Sequence, residues 1–260
     1  MRSAMTVEVS DLYVEYPNEP MRIEQVSFAI SSGTIFGIIG ESGCGKSTVC
    51  KALLGLLSGR ASRWDGTIEL NGRDVAKLDA RERRRLNGRE IAYVAQNPTA
   101  AFDPCMKIRG HFTETLRTHL RCSRKDACLY SEQLLARVGL PDTRRIMESY
   151  PHQLSGGMLQ RTMIALALAF NPLLIVADEP TGSLDAQSAA LVSELLLRIS
   201  HDLKPAMLLV SHDIRIMAMM ADELAVMRNG RIIERGSTER ILSLPQNEYT
   251  KELVGTSEPS

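Results

Sequence analysis

A glycine-rich segment, GESGCGKST at residues 40 to 48, constrains the fold of this chain more than any other stretch. It follows the apolar run TIFGIIG (34 to 40), and residues 46 to 57 have the spacing of small and apolar side chains that is typical of a helix. This order predicts a strand, a tight loop and a helix, the arrangement of a G-x-x-x-x-G-K-[ST] phosphate loop. Glycines let backbone N–H groups turn toward one point, and the helix N-terminus adds the positive end of its dipole. The segment therefore predicts a site for nucleotide phosphates.

Within this loop, Lys46 is placed to meet the β- and γ-phosphates and Ser47 to hold Mg²⁺. The backbone and side chains of the whole loop are predicted to contact the nucleotide: Gly40, Glu41, Ser42, Gly43, Cys44, Gly45, Lys46, Ser47 and Thr48. Cys44 stands where small residues are usual, and we expect it to make the site sensitive to alkylation.

Two further apolar runs end in polar residues, LLIVADEP at 173 to 180 and AMLLVSHD at 206 to 213. Runs of this kind, alternating with helical segments, predict buried strands of a parallel sheet that is covered on both faces. Asp178 at a strand end can hold the magnesium shell, and Glu179 is a candidate general base or water-positioning group for attack on the γ-phosphate. Together with the phosphate loop, these acids predict hydrolysis of Mg-ATP.

The rest of the chain predicts an α/β fold with two additions to the parallel sheet. The first 33 residues and GTIELNGRDV (66 to 75) alternate apolar and polar residues, which indicates antiparallel strands. Residues 98 to 165 are mostly helical in pattern and predict a helical subdomain inserted between core strands. We interpret residues 1 to 255 as one nucleotide-binding domain and 256 to 260 as a disordered tail.

Composition excludes several functional classes. The chain has 31 basic and 31 acidic residues, so no overall field recruits nucleic acid or an anionic bilayer. The basic run RERRR (81 to 85) is interpreted as a solvated helix face, with lipid or nucleic-acid contact as the less favoured alternative. The five cysteines fit no zinc pattern and predict reduced thiols. The longest apolar stretch is broken by Asn171 and Pro172, so we expect no membrane span.

A second glycine pair, in LSGGMLQR at 154 to 161, distinguishes between classes of ATPase. This segment resembles the signature of the ABC ATPases, although Met158 stands where that family often has glutamine. The other motifs of the family follow in its usual order: the loop at 40 to 48, Gln96 after IAYVA, DEP at 178 to 180, SLD at 183 to 185, and His212 after LLVS. The resemblance covers almost the whole chain. It implies an ABC cassette with a RecA-like, mostly parallel core sheet, an N-terminal antiparallel β subdomain and a helical subdomain.

The resemblance also implies roles for single residues. Tyr16 is placed like the aromatic that stacks on adenine, with Tyr13 as the alternative. Gln96 resembles the residue that reaches the magnesium and the attacking water, which adds it to Ser47 and Asp178 as a metal ligand. His212 resembles the switch that contacts the γ-phosphate. The remaining residues resemble those that complete a neighbouring subunit's site across a dimer: Ser155, Gly156, Gly157 and Asp185.

Three segments indicate a branch of the family: QNPTAAFDP (96 to 104), LSGGMLQRTMIALAL (154 to 168) and PQNEYTKEL (245 to 253). They resemble the peptide and nickel importers. Peptide ATPases of that branch usually continue further and carry a cysteine-containing tail, whereas this chain has no cysteine after Cys128. Its length and the segment MLQRTMIA (158 to 165) resemble the nickel or metal-chelate subgroup more, so that subgroup is favoured, with di- or oligopeptide import as the alternative. A non-transporting ABC ATPase is less favoured, because only about a hundred residues separate the loop from the signature.

The resemblance implies an assembly at the cytoplasmic face of a bacterial inner membrane, where the chain would be peripheral. Its expected partners are a second ABC ATPase, a related chain more often than an identical one, and two transmembrane permease subunits. An extracytoplasmic substrate-binding protein is an indirect partner, and no nucleic acid is expected. ATP and Mg²⁺ are the expected substrate and cofactor.

Overall fold

The computed structural model describes residues 5–17, 22–57 and 63–255. The predicted tail, 256 to 260, lies outside the described residues. The described strands form two sheets, and the helices pack around and between them.

The smaller sheet is antiparallel and has the strand order β2-β1-β4-β5. Its strands are β1 (Met5–Glu15), β2 (Arg22–Ser31), β4 (Arg63–Leu70) and β5 (Arg73–Asp74). In β1 the buried residues change from odd positions, Val7 and Val9, to even positions, Leu12 and Val14. The change follows a register shift near Asp11, whose φ of 50° marks a bulge. The antiparallel sheet predicted from alternation is thus confirmed.

The larger sheet has the order β10-β9-β3-β8-β7-β6 and is parallel except for the β9–β10 pair. Its strands are β3 (Ile35–Ile39), β6 (Ile91–Val94), β7 (Leu174–Asp178), β8 (Ala206–Ser211), β9 (Glu223–Arg228) and β10 (Arg231–Ser237). Every residue of β3, β7 and β8 is buried, as expected for strands covered on both faces. This confirms the mostly parallel core sheet.

The α-helices connect these strands. They are α1 (Lys46–Leu53), α2 (Ala80–Leu86), α3 (Ile108–His119), α4 (Arg124–Arg137), α5 (Thr143–Glu148), α6 (Gly156–Ala167), α7 (Ala186–Leu203), α8 (Ile214–Met220), α9 (Thr238–Ser243) and α10 (Glu248–Gly255). Short 3-10 turns cover Val75–Lys77, Pro98–Ala101 and Pro151–Gln153. Helices α3 to α6 come from the stretch between β6 and β7, where the sequence pattern predicted an inserted helical subdomain.

Two apolar clusters hold these layers together. One contains the inward side of the antiparallel sheet, α1 and one face of the core sheet. The other contains the opposite face of the core sheet together with side chains of α3, α4, α6 and α7. Because neighbouring parallel strands end at the same edge of a sheet, the loops after β3, β8, β7 and β6 all meet at one edge. The candidate site lies at that edge.

Candidate functional site

The glycine loop connects β3 to α1, as its motif predicts. Gly43 and Gly45 have φ values of 83° and 110°, a left-handed region that favours glycine, and Gly45 is the N-cap of α1. Gly40 is required for a different reason, because a Cβ there would lie 2.2 Å from the Met227 carbonyl oxygen of β9. The loop is therefore closed tightly on itself and packed against the sheet.

The Lys46 ammonium is held inside this loop. Its side chain is 5% exposed, and Nζ donates hydrogen bonds to the carbonyl oxygens of Gly40 (2.7 Å) and Glu41 (2.9 Å). These two bonds keep a positive charge beside the N-terminus of α1, where an anion is also favoured by the helix dipole. The arrangement suits a phosphate group.

Ser47 and Asp178 form an oxygen pair next to the loop. Ser47 Oγ donates to Asp178 Oδ1 over 3.2 Å, and the Tyr93 hydroxyl donates to Asp178 Oδ2 over 3.3 Å. Burial raises the pKa of Asp178, although the hydrogen bonds from Ser47 and Tyr93 act in the opposite direction. Hydroxyl and carboxylate oxygens are the ligands that Mg²⁺ prefers, so this pair fits a magnesium site.

Glu179 lies at the centre of a second group. It directly follows β7, its φ is 49°, and its N–H donates to the Val210 carbonyl oxygen of β8 (2.8 Å). Its Oε2 accepts a hydrogen bond from Gln96 Nε2 at 2.9 Å and lies 3.2 Å from His212 Nδ1. The structure thus brings together three predicted residues that are up to 116 positions apart in the chain.

The loop that carries Gln96 is also fixed to the segment after β7. Ser183 Oγ donates to the Gln96 carbonyl oxygen over 2.9 Å. Gly182 lies beside both partners: a Cβ there would be 3.3 Å from Glu179 Oε2 and 3.4 Å from Gln96 Nε2. A movement of the Gln96 loop would therefore directly change the contacts of the Glu179 carboxylate.

The residues of the predicted signature occupy the N-terminus of α6. Ser155 is the N-cap and accepts from Met158 N–H, while Gly157 is buried against Ser188 of α7. Asp185 caps α7 and accepts from Ser188 N–H over 2.9 Å. That backbone hydrogen bond lowers the pKa of Asp185. Within the described part of the chain, the closest contacts of the signature residues run to α6 and to the segment 184 to 188, not to the loop at 40 to 48.

The two candidate aromatics differ in their contacts. The Tyr13 hydroxyl donates to Glu15 Oε2 (3.0 Å), and the Arg63 guanidinium lies 5.4 Å from its ring centroid. Tyr16 is half-buried and packs against the cluster that contains α1. Tyr13 is thus engaged on the antiparallel sheet, and Tyr16 remains the predicted adenine contact.

The expected reactivity of Cys44 does not agree with its surroundings. The residue is 7% exposed, and burial raises the pKa of its thiol despite the nearby Lys46 charge. A protonated, buried thiol reacts slowly with alkylating reagents, because the thiolate is the nucleophile. We therefore correct the expectation that this cysteine makes the site sensitive to alkylation.

Sequence reasoning missed two tyrosines near the site. Tyr93 lies in β6 and bonds Asp178, and burial is the main cause that raises its pKa. Tyr249 lies in α10, and its hydroxyl accepts from the Glu41 N–H of the phosphate loop over 3.1 Å. The exposed aromatic in the apolar strand IAYV was a local signal for Tyr93. No local signal linked residue 249 to a loop 208 positions earlier.

An apolar groove of about 550 Å³ opens beside the Gln96 loop. It lies between β6, α3 and α6, and its walls include Ala92, Tyr93, Ala95, Thr115, Met163 and Leu166.

Across residues 5–17, 22–57 and 63–255, no helix is both long and apolar enough to cross a membrane.

Comparison with known proteins gives consistent matches. The model of the ABC transporter family matches residues 23 to 182. The chain is 38% identical over 252 residues to the metal-staphylopine import system ATP-binding protein CntD of Staphylococcus aureus, covering 97% of this chain and 92% of that protein. It is 36% identical over 251 residues to the dipeptide transport ATP-binding protein DppD of Escherichia coli, covering 95% of this chain and 77% of that protein.

Solved structures share the same architecture. MJ0796, a bacterial ABC transporter cassette with a dimeric structure, superposes with a TM-score of 0.77 at 25% identity, covering 89% of this chain and 98% of that one. CbiO1 of Clostridium perfringens, part of the ABC transporter complex cbiONQ, also gives a TM-score of 0.77, at 22% identity, and covers 92% of this chain and 91% of that one. The second likeness concerns the fold alone.

Proposed function

Because this chain belongs to the ABC transporter family and is an importer ATPase of that family, we propose that it powers the import of a metal chelate. The observation that carries the catalytic part of the proposal is the Glu179 carboxylate, which accepts a hydrogen bond from Gln96 and lies 3.2 Å from His212 Nδ1, beside the Ser47–Asp178 pair. ATP hydrolysis coupled to transport is the activity of the family. The roles of single residues, the partners and the cargo are our proposals.

In this proposal the loop at 40 to 48 binds the phosphates of ATP. The Lys46 ammonium is held by two carbonyl oxygens of the loop, and it exchanges them for phosphate oxygens when ATP binds. Ser47 and Asp178, with Gln96 from the neighbouring loop, would hold Mg²⁺, which supplies charge neutralisation at the phosphate oxygens. Tyr16 stacks on the adenine.

Glu179 is the proposed general base. It accepts a proton from the water that attacks the γ-phosphate, and Gln96 Nε2 holds one of its oxygens in place. His212 Nδ1 lies 3.2 Å from the same Glu179 oxygen, and this histidine is our candidate for the contact with the γ-phosphate. Gln96 and His212 thus both lie beside Oε2 of the proposed base.

We propose that a second ABC ATPase completes this site. Ser155 and Asp185 are exposed at neighbouring helix N-termini and contact their own helices rather than their own phosphate loop. The bare N–H groups of Gly156 and Gly157 at such a terminus can approach an anion. In a dimer of cassettes they would close over the γ-phosphate held by the partner, and Asp185 would cross the interface. The partner is expected to be a related chain, with a homodimer as the alternative.

The apolar groove beside the Gln96 loop is the proposed docking site for a permease. One wall is β6, which ends two residues before Gln96, and the groove is lined mainly by alanine, methionine and leucine side chains. A short helix of a membrane subunit that enters this groove would move the Gln96 loop and, through Ser183, the segment that follows Glu179. This proposal places the chain at the cytoplasmic face of the membrane.

For the cargo, the two relatives support different candidates. CntD is named for the import of metal-staphylopine, and DppD for the transport of dipeptides. The identities of 38% and 36% are too close to discriminate between them. We propose a metal chelate because the segment MLQRTMIA (158 to 165) resembles the nickel or metal-chelate subgroup, and peptides are the alternative.

The test is reconstitution with the permeases and the partner ATPase that are encoded beside its gene. ATP turnover is measured with binding protein loaded with a nickel chelate or with peptide. Stimulation by the metal-loaded protein alone is the expected result, and stimulation by peptide alone would contradict the metal proposal. Lys46→Ala should lose phosphate contacts and severely weaken ATP binding or turnover in the same assay. Near-normal turnover of that variant would contradict the role of the loop.

A further inference from the structure

The C-terminal helix α10 makes a direct hydrogen bond to the phosphate loop. Tyr249 is 4% exposed, and its hydroxyl oxygen accepts from the Glu41 N–H over 3.1 Å. The Arg228 guanidinium lies 4.5 Å from the centroid of the tyrosine ring, within range of a cation–π interaction. The ring is therefore fixed by packing, and the hydroxyl is aimed at the loop backbone.

The peptide groups on both sides of Glu41 are engaged. The Glu41 carbonyl oxygen accepts from Lys46 Nζ at 2.9 Å and from the Cys44 N–H at 3.3 Å. The Glu41 N–H, on the other side of the residue, donates a hydrogen bond to the Tyr249 hydroxyl oxygen. A shift of Glu41 would therefore displace one of the two carbonyl oxygens that hold the Lys46 ammonium.

Helix α10 is itself anchored to the sheet. The Glu234 carboxylate of β10 accepts from the backbone N–H groups of Gln246 (2.8 Å) and Asn247 (3.0 Å), and Asn247 Oδ1 accepts from the Tyr249 N–H (3.0 Å). These bonds fix the start of the helix. The tyrosine hydroxyl is thus a rigid support and not part of a loose tail.

We propose that Tyr249 is a positioning residue for the phosphate loop, which it holds through Glu41 so that Lys46 is set for the nucleotide. The inference rests on the proposed role of residues 40 to 48 in ATP binding. Tyr249 acts on the loop backbone from outside the phosphate site, so it contributes to affinity by holding the loop in its binding conformation.

Tyr249→Phe isolates this contribution, because phenylalanine keeps the ring beside Arg228 and removes only the hydroxyl group that accepts from Glu41. The Kd for ATP of the full chain, measured by calorimetry with Mg²⁺, is expected to rise about three- to tenfold, the effect of one lost neutral hydrogen bond. Amide hydrogen exchange in the peptide that contains Glu41 is expected to become faster.

Tyr130→Phe is the matched control. Tyr130 is half-buried in α4, and its hydroxyl donates to the Ala169 carbonyl oxygen over 2.8 Å. The control loses a hydrogen bond between a phenol and the backbone, remote from the loop. Both variants should lose a similar amount of thermal stability, and only Tyr249→Phe should change ATP affinity and exchange at Glu41.

An ATP Kd unchanged in Tyr249→Phe, or changed equally in Tyr130→Phe, would overturn the positioning role. Lys46→Ala in the same series separates this failure from a failure of the proposed function. If wild type binds ATP and Lys46→Ala does not, the loop assignment stands and only the Tyr249 inference is lost. If Lys46→Ala binds and hydrolyses ATP like the wild type, the loop assignment itself fails and the inference fails with it.

Discussion

Glu179 is the residue on which the proposed chemistry of the site most depends. Its φ of 49° is uncommon for a residue with a side chain, and such conformations cluster at functional sites. After this left-handed turn, the Glu179 carboxylate accepts a hydrogen bond from Gln96 and lies 3.2 Å from His212 Nδ1. The backbone geometry and the side-chain contacts therefore favour the same position for the proposed base.

Glu179→Gln should preserve ATP binding but slow ATP turnover by roughly two to four powers of ten, the scale of a lost acid–base group. The amide keeps the shape of the side chain and cannot accept the proton of the attacking water. Turnover in the assembled transporter and nucleotide binding to the purified chain measure the two effects separately.

Glu194→Gln is the control for this substitution, because Glu194 is exposed on α7, eight residues after the helix begins. It should leave turnover unchanged. Normal hydrolysis by Glu179→Gln would mean that another group accepts the proton.

Cys44 should resist alkylation, because its thiol is buried and its raised pKa keeps it protonated at neutral pH. Cys105 is exposed and should react first with N-ethylmaleimide. Mass spectrometry of peptides after brief labelling of the nucleotide-free chain compares the two sites. Labelling of Cys44 as fast as Cys105 would show that the phosphate loop opens readily in solution.

At the level of elements, the contact between the N-termini of α6 and α7 decides where the signature lies. Gly157 allows this contact, because a Cβ there would lie 2.5 Å from Ser188 Oγ and 2.8 Å from Ser188 Cβ. Both helices begin at this point and both are capped by polar side chains, Ser155 and Asp185. One close approach therefore sets the relative position of two predicted interface segments.

Gly157→Ala should lower the free energy of unfolding by about 1–3 kcal/mol, the usual cost of overpacking. The added methyl forces α6 away from α7, so ATP turnover should fall as well. Thermal or denaturant unfolding of the purified chain measures the stability effect.

Gly156→Ala is the neighbouring control for stability, since a Cβ at that position would meet Leu184 Cδ2 at an ordinary 3.5 Å. It should unfold like the wild type. Equal stabilities of the two variants would show that the helices separate at little cost.

At the scale of the whole molecule, the predicted site residues form two groups. One group surrounds the phosphate loop at the edge where β3, β8, β7 and β6 end. The other lies at the start of α6 and α7 and contacts its own helices. Such a division is expected if each cassette binds one ATP and completes the site of its partner.

Ser155→Arg should leave ATP binding by the isolated chain unchanged and strongly reduce turnover in the assembled transporter. The large cation would obstruct the surface that we propose closes over the partner's γ-phosphate. Calorimetry on the chain and ATPase measurements on the complex test the two halves of this prediction.

Ser123→Arg is the matched control, because Ser123 also caps a helix and accepts from the N–H three residues on, Asp126. Each substitution removes one N-cap, worth about 1 kcal/mol. A similar loss of turnover in both variants would mean that the effect of Ser155→Arg comes from helix fraying rather than from the interface.

The pattern of residues alone predicts the elements whose conformation is local. The strand, loop and helix around residues 40 to 48 follow from glycine positions and an apolar run, and the single antiparallel strands follow from alternation. The fully buried strands β7 and β8 follow from their continuous apolar runs. These features depend on neighbours in the chain, so a pattern of residues is sufficient to predict them.

Which of these elements meet depends on the folded chain. The order of β3, β8, β7 and β6 places Gln96 and His212 within hydrogen-bonding range of Glu179, and family resemblance alone anticipated this grouping. The burial of Cys44 and the hydrogen bond from Glu41 to Tyr249 could not be predicted from the neighbouring residues in the sequence, because each depends on packing between segments far apart in the chain. Strand order and long-range packing are properties of the folded chain as a whole, since many arrangements satisfy the same local patterns.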